Sequence, residues 1–490
     1  MRAQKSILLV TVDCLRADHV GFMGYDHPTT PFLDSLAAES FVIPNAVVAG
    51  VPTYYSLPAI LASRIPLALG RDIIGLGPSE PTLASILKDA GYSTAAFGAG
   101  NPYLSARFGY EQGFDTFRDF LQADAIDIGT ENPIPPREGL ASRINRWLQA
   151  ARPSMGPLGK LYDELYFEYC QRITPLPESL DALRRFPAAD VIVDHACDWL
   201  ASIGDSPFFL WLHLMDPHSP YYPKDAAVSM LRKSPVTPRR ARYLNSFWNR
   251  SDIGSRRLQR HRDEIVALYD AGIRWVDEQM KRLTESLRRS NRWDDCILAL
   301  TADHGEEFLE HGGRYHPPSQ LHEELIHVPL LLRLPASRKQ EQHPSPFSLM
   351  NLGPTLLEAA GLPVSSQLQG RSYLEQMRRG EAFDTAAISE CVAGCTNPFH
   401  PEGRMGSRIL AVREARYKLV IHFDPATEKF YDLDADPGEQ SPLSEVPKPV
   451  QRRLLEAALD HLRRSRQRDE RMRVRARLRE VQLEWARSLT

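Results

Sequence analysis

The sequence predicts an α/β protein built on a large, mostly parallel sheet sandwiched by helices. Short apolar runs alternate with helical patterns along most of the chain. The apolar runs look buried on both faces, as strands of a covered parallel sheet do. Three of them lead directly into acids and histidines, and ligands in open α/β sheets bind beyond the carboxyl ends of the strands.

At 490 residues, 43% hydrophobic and 25% charged, the chain can build a substantial core. A net charge of −3 argues against a dedicated nucleic-acid binder. Neither a signal peptide nor a membrane-length apolar run is evident, and six cysteines in so long a chain do not make a disulfide framework. The expected compartment is the cytoplasm.

The expected strands are Ile7–Val12, Ser93–Phe97, Pro207–Leu214, Cys296–Thr301 and Pro329–Leu334. Two interruptions break the pattern. Residues 120–186 are Pro-rich and irregular and read as an insertion or lid; residues 224–262 carry many arginines and read as a solvated, partly mobile surface or as one for an anionic substrate or a partner. Both lie within a catalytic domain spanning 1–385. A small α+β subdomain is expected over 386–446, with strands at Ile409–Val412, Tyr417–Ile421 and Phe430–Leu433. A charged helical tail follows over 447–490 and is a candidate homo-oligomer contact.

Four segments carry chemistry. In VTVDCLRADH, Asp13 leaves a strand and suits either a metal ligand or a helix N-cap. In AGVPTYYSLPAIL, Thr53 stands at a helix start, where a bound cation and the helix dipole would activate its hydroxyl; Thr53 or Ser56 could equally be a cap. TADHGEEFLEHGGRYH places Asp303, His304, His311 and His316 at one strand end, donors suited to zinc, manganese or iron. LHLMDPHSPYYP adds His213, Asp216 and His218. Cys391 and Cys395 read as ordinary loop residues, since no second cysteine pair accompanies them.

Together these segments resemble the sulfatase family of the alkaline phosphatase superfamily over most of residues 5–120 and 188–440. DCLR looks like the family's Asp-x-x-Arg element, TADHG like its Asp-His-Gly element, LHLMDPHSPY like its His-x-x-Asp-x-His-x-Pro-Tyr element, and FYDLDADPGEQSPL like its C-terminal stretch. The resemblance implies an alkaline-phosphatase-like fold and a sulfatase-like ester hydrolase. It implies a divalent cation (zinc or manganese favoured, calcium allowed) on Asp13, Thr53, Asp303 and His304. His218 and His316 would serve the leaving oxygen, or hold a second metal with Asp216. Asn101 and His311 would contact a small anionic ester substrate, and Arg16 would be structural.

The sequence departs from the family at the nucleophile. Where the family has Cys or Ser followed by x-Pro-Ser-Arg, this chain has Thr53, Ser56 and Leu57. Threonine cannot be oxidised to formylglycine, and the arginine is missing. A threonine alkoxide resembles the superfamily's phosphodiesterases and phospho-group transferases. Phosphate mono- or diesters therefore gain weight over sulfate esters, with a soluble phospho-group transferase or a non-catalytic sulfatase-like binding protein as the alternatives.

Overall fold

The computed structural model describes residues 4–465 except 71–73, 79, 122–156, 232–234, 336, 338–339, 384–385 and 396–405. Its centre is an eight-stranded sheet of β1 (Ser6–Val12), β2 (Phe41–Val42), β3 (Ser93–Gly98), β4 (Thr116–Arg118), β5 (Phe208–Leu214), β6 (Cys296–Ala302), β7 (Leu330–Arg333) and β8 (Glu341–Gln342). The spatial order is β8-β2-β7-β6-β1-β5-β3-β4. β6, β1, β5, β3 and β4 run parallel; β7 pairs antiparallel with both its neighbours. The antiparallel strand is the Pro329–Leu334 run, whose periodicity cannot distinguish strand direction.

β1, β5 and β6 are buried almost throughout, consistent with helices on both faces. The register then places the site. Val12 pairs with Leu214 on one side and Ala302 on the other. Asp13 and Asp303 are therefore level, one residue past the same sheet edge.

The arginine-rich stretch 224–262 is not the irregular, solvated surface expected from its composition. It forms helices Asp225–Leu231, Pro238–Trp248 and Ser255–Leu258. Ala241, Leu244, Phe247 and Trp248 are buried on one face. The arginines are mostly neutralised within the chain. Arg240 pairs with Glu264, and Arg250 and Arg257 pair with Glu164, 86 and 93 residues away. Arg242 donates to the carbonyls of Gln171 and Thr174 at the end of helix Pro157–Ile173. That 17-residue helix also corrects the expectation of an irregular segment over 120–186 in its second half; residues 122–156 lie outside those described.

The small unit is a four-stranded antiparallel sheet of Ala387–Val392, Arg408–Glu414, Tyr417–Phe423 and Ala426–Asp432. Residues 448–465 form a helix whose Val450, Leu454 and Ala458 join Leu410, Val412, Leu419 and Phe430 in one apolar cluster. The described part of the tail therefore packs Val450, Leu454 and Ala458 onto its own chain; residues 466–490 lie outside the described set.

The two units are bolted together by buried charges. Glu390 accepts from Leu67 N at 2.8 Å and is paired with Arg408 and His461. Burial would raise its carboxyl, but Arg408 and His461 hold it at about 2. A depressed carboxyl contributes stability above its unfolded value of 4.5, and that contribution is lost as pH falls toward about 2. Glu390→Ala strands Arg408, so it should cost about 3–5 kcal/mol at neutral pH, read as a lower denaturation midpoint. The wild-type advantage over the variant should shrink as the medium is acidified.

Candidate active site

Asp13 follows β1, and its backbone N–H donates to Leu214 O at 2.8 Å, continuing the ladder by one residue. One carboxylate oxygen, Oδ2, accepts from Asn101 Nδ2 at 3.0 Å and faces His213 Nε2 at 3.2 Å. The His213 ring is in turn fixed through Nδ1, 2.9 Å from the Thr11 hydroxyl, which also accepts from Trp211 Nε1. With Oδ2 engaged, Oδ1 points toward His304 Nε2, 3.7 Å away, with the Cys14 thiol at 3.1 Å.

Asp303 follows β6 and is divided in the same way. Its Oδ1 accepts from the backbone N–H of Cys14 (3.3 Å) and of His304 (2.9 Å). Its Oδ2 is buried without a hydrogen-bond partner among the described residues, 3.5 Å from His304 Nε2. His304 Nδ1 donates to Gly305 O at 2.9 Å, which leaves the Nε2 lone pair free. That lone pair faces Thr53 Oγ1 at 3.1 Å.

Thr53 is the first residue of the fully buried helix Thr53–Ala62. Its hydroxyl faces His304 and makes no helix cap. Ser56 lies one turn deeper, fully buried, with an unpartnered hydroxyl, and does not line the cavity above the site. Leu57 is wholly buried in the core.

Four donor atoms thus converge: Asp13 Oδ1, Asp303 Oδ2, His304 Nε2 and Thr53 Oγ1. Their donor types are those of a divalent-cation site. Burial and the neighbouring Asp13 charge raise the Asp303 carboxyl. Burial would raise Asp13 as well, but His218, His213 and His304 hold it well below the usual carboxylate range. Two level carboxylates with diverging proton affinities, one with an orphaned oxygen, fit a divalent ion.

A cavity of about 330 Å³ opens above Thr53, lined by Asn101, Tyr103, His218, Arg314, Tyr315, His316 and Cys395 among others. The His316 ring lies 4.4 Å from that of His304 and 5.2 Å from that of His218. Its Nδ1 faces Glu306 Oε1 and Cys14 Sγ, each at 3.4 Å. His218 Nδ1 donates to Ser219 O at 2.5 Å, directing Nε2 elsewhere.

Several expected roles change. Asn101 lines the cavity; one amide N–H orients the Asp13 carboxylate and its oxygen accepts from Tyr103 N. His311 is not among the residues lining the cavity; it faces His322 and Glu324. Asp216 cannot complete a second metal site with His218 and His316, because it pairs with Arg184 at 2.9 Å and accepts from Ala189 N at 3.0 Å. Arg16 binds Asp18, Glu310 and Glu306 O, a structural clamp.

Cys14, Glu306, Arg314 and Cys395 were not expected in the site, whereas His213, singled out in LHLMDPHSPYYP, lies against Asp13. Cys14 sits with φ +63° between the two carboxylates, and burial and their charges push its thiol far up.

Comparison with known proteins shows the family. The sulfatase family model matches residues 5–362, and a model of the N-sulphoglucosamine sulphohydrolase C-terminal region matches 310–465. The chain is 26% identical over 274 residues to arylsulfatase K of Gallus gallus, covering 51% of this chain and 50% of that protein. It thus spans about half the length of that relative. It is 22% identical over 468 residues to an arylsulfatase of Clostridium perfringens, covering 89% of each. Among solved structures, the phosphonate monoester hydrolase of Agrobacterium radiobacter superposes with a TM-score of 0.66 at 18% identity, covering 94% of this chain and 96% of that one.

Proposed function

Starting from the premise that this chain belongs to the sulfatase family, we propose that it is a metal-dependent ester hydrolase with Thr53 as its nucleophile, preferring phosphate esters, diesters above all, to sulfate esters. The observation that carries the reading is the convergence of Asp13 Oδ1, Asp303 Oδ2, the His304 Nε2 lone pair and the Thr53 hydroxyl at the sheet edge.

Asp13, Asp303, His304 and Thr53 Oγ would hold the cation, zinc or manganese by the donor set, which supplies positive charge that acidifies the hydroxyl and offsets oxyanion charge. Thr53, its proton released to solvent, attacks phosphorus in line. The Oγ–P bond forms as the bond to the leaving oxygen breaks. His218 or His316 gives that oxygen a proton. Glu306 Oε1 lies 3.4 Å from His316 Nδ1 and orients that ring. Water then hydrolyses the Thr53 ester and restores the hydroxyl. Asn101 and His213 fix which oxygen of Asp13 faces inward.

The preference for phosphoryl transfer rests on chemistry. Thr53 cannot yield formylglycine, and buried Leu57 stands where the sulfatase motif has arginine. The test is a panel of nitrophenyl phosphate, phosphodiester, phosphonate and sulfate esters, assayed with zinc, manganese and calcium. Phosphodiester turnover should exceed sulfate-ester turnover with the best metal. Faster sulfate hydrolysis across the panel would overturn the preference, and no turnover of any ester would favour a binding protein.

A further inference from the structure

A second cluster of metal-ligating side chains stands apart from the Thr53 centre and has no role in the chemistry above. We propose that His311, His322 and Glu324 bind a divalent cation of the zinc type, which staples the hairpin carrying His316 to the segment that follows it.

His311 lies in the turn between the short strands Glu307–Phe308 and Arg314–Tyr315. His322 immediately precedes the short helix Glu323–Ile326, and Glu324 is in its first turn. One donor atom from each of the three residues lies within 4.8 Å of the other two. His311 Nε2 and Glu324 Oε1 are 3.5 Å apart, close to the edge of about 3.4 Å in a tetrahedron built on zinc bonds of about 2.1 Å.

The stronger observation is what these atoms lack. His311 Nε2, His322 Nδ1 and Glu324 Oε1 are all buried without a hydrogen-bond partner among the described residues. The Glu324 side chain is only 7% exposed. Buried polar atoms are nearly always satisfied, so three orphans pointing at one another need a common partner. A nearby amine does not supply it, because Lys418 Nζ is committed to Glu323 at 3.0 Å and Glu439 at 2.9 Å. Two imidazoles and one carboxylate are a zinc-type set with a fourth position left for water.

The backbone around the cluster is already built to hold it. His311 N and Gly313 N donate to Glu307 Oε1 at 3.0 and 2.7 Å, and Gly312 turns the loop at φ +82°. Gly305 N and Glu306 N donate to Leu325 O and Glu324 O. A cation here would fix the loop five residues before His316, and with it Arg314 and Tyr315 on the wall of the Thr53 cavity.

The test uses the full chain. Crystals of the unsubstituted protein soaked in zinc should show an anomalous peak among His311, His322 and Glu324. His322→Gln protein, stripped and reloaded, should hold about one zinc equivalent less than wild type while the Thr53 centre stays loaded. The proposal fails if anomalous density appears only at the Thr53 centre, or if His322→Gln leaves the zinc count unchanged. Should that variant not fold, the crystals of the unsubstituted chain decide alone. Neither result depends on whether Thr53 is the nucleophile.

Discussion

Thr53→Ala should fold, keep bound metal and lose about 10³-fold or more in kcat, the result expected of the nucleophile proposed above and not of a structural cap. The structural cost is small. The Thr53 hydroxyl closes no helix end, and what it touches, His304 Nε2, is there for chemistry. Loss of a true cap would cost only about 0.5–2 kcal/mol of stability and would leave turnover in the remaining folded protein. Thr53→Ser keeps the hydroxyl and should retain measurable activity. Ser56→Ala is the internal control, since its buried hydroxyl lies outside the cavity. Loss of turnover in Ser56→Ala with an active Thr53→Ala would transfer the role to Ser56.

Asp303→Asn should be the most damaging change to metal binding. Asparagine can keep the acceptor that binds the Cys14 and His304 N–H groups, but it removes the charge carried by the orphaned Oδ2. Affinity for the cation should fall by more than the roughly 10–100-fold typical of losing a residue that only orients a ligand. His213→Ala and Asn101→Ala, which touch the cation only through Asp13, should stay within that range. Stability should move the other way. In metal-free protein, burial and the Asp13 charge make an ionised Asp303 unfavourable. Removing that charge should raise the melting temperature of the stripped protein, while metal-loaded wild type outlasts metal-loaded variant. Isothermal titration with zinc and manganese, followed by thermal melts with and without chelator, reads both effects.

Much of this could be read along the chain. β1, β3, β5 and β6 stand out as apolar runs, and the polar residues at their ends converge because parallel strands present their carboxyl ends on one edge. The level positions of Asp13 and Asp303 come from register, which a strand's own sequence does not carry. The helices between 157 and 258 were hidden for a different reason. Their arginines look like a solvated surface until Glu164 and Glu264, distant in sequence, are folded against them. Cys14 and Glu306 sit beside recognised ligands, yet only the fold shows that they face His316. His311 was legible as a metal-type residue but not its partners, since His322 and Glu324 lie across a loop from it.

The central claim is that the transferred group passes through Thr53, and stereochemistry at phosphorus tests it without requiring an intermediate to accumulate. A phosphate ester made chiral with oxygen isotopes, turned over in the presence of an acceptor alcohol, reports the number of in-line displacements. Attack by Thr53 followed by release to the acceptor is two displacements, so the account predicts net retention of configuration. Net inversion would mean a single direct displacement, and would contradict a covalent Thr53 ester.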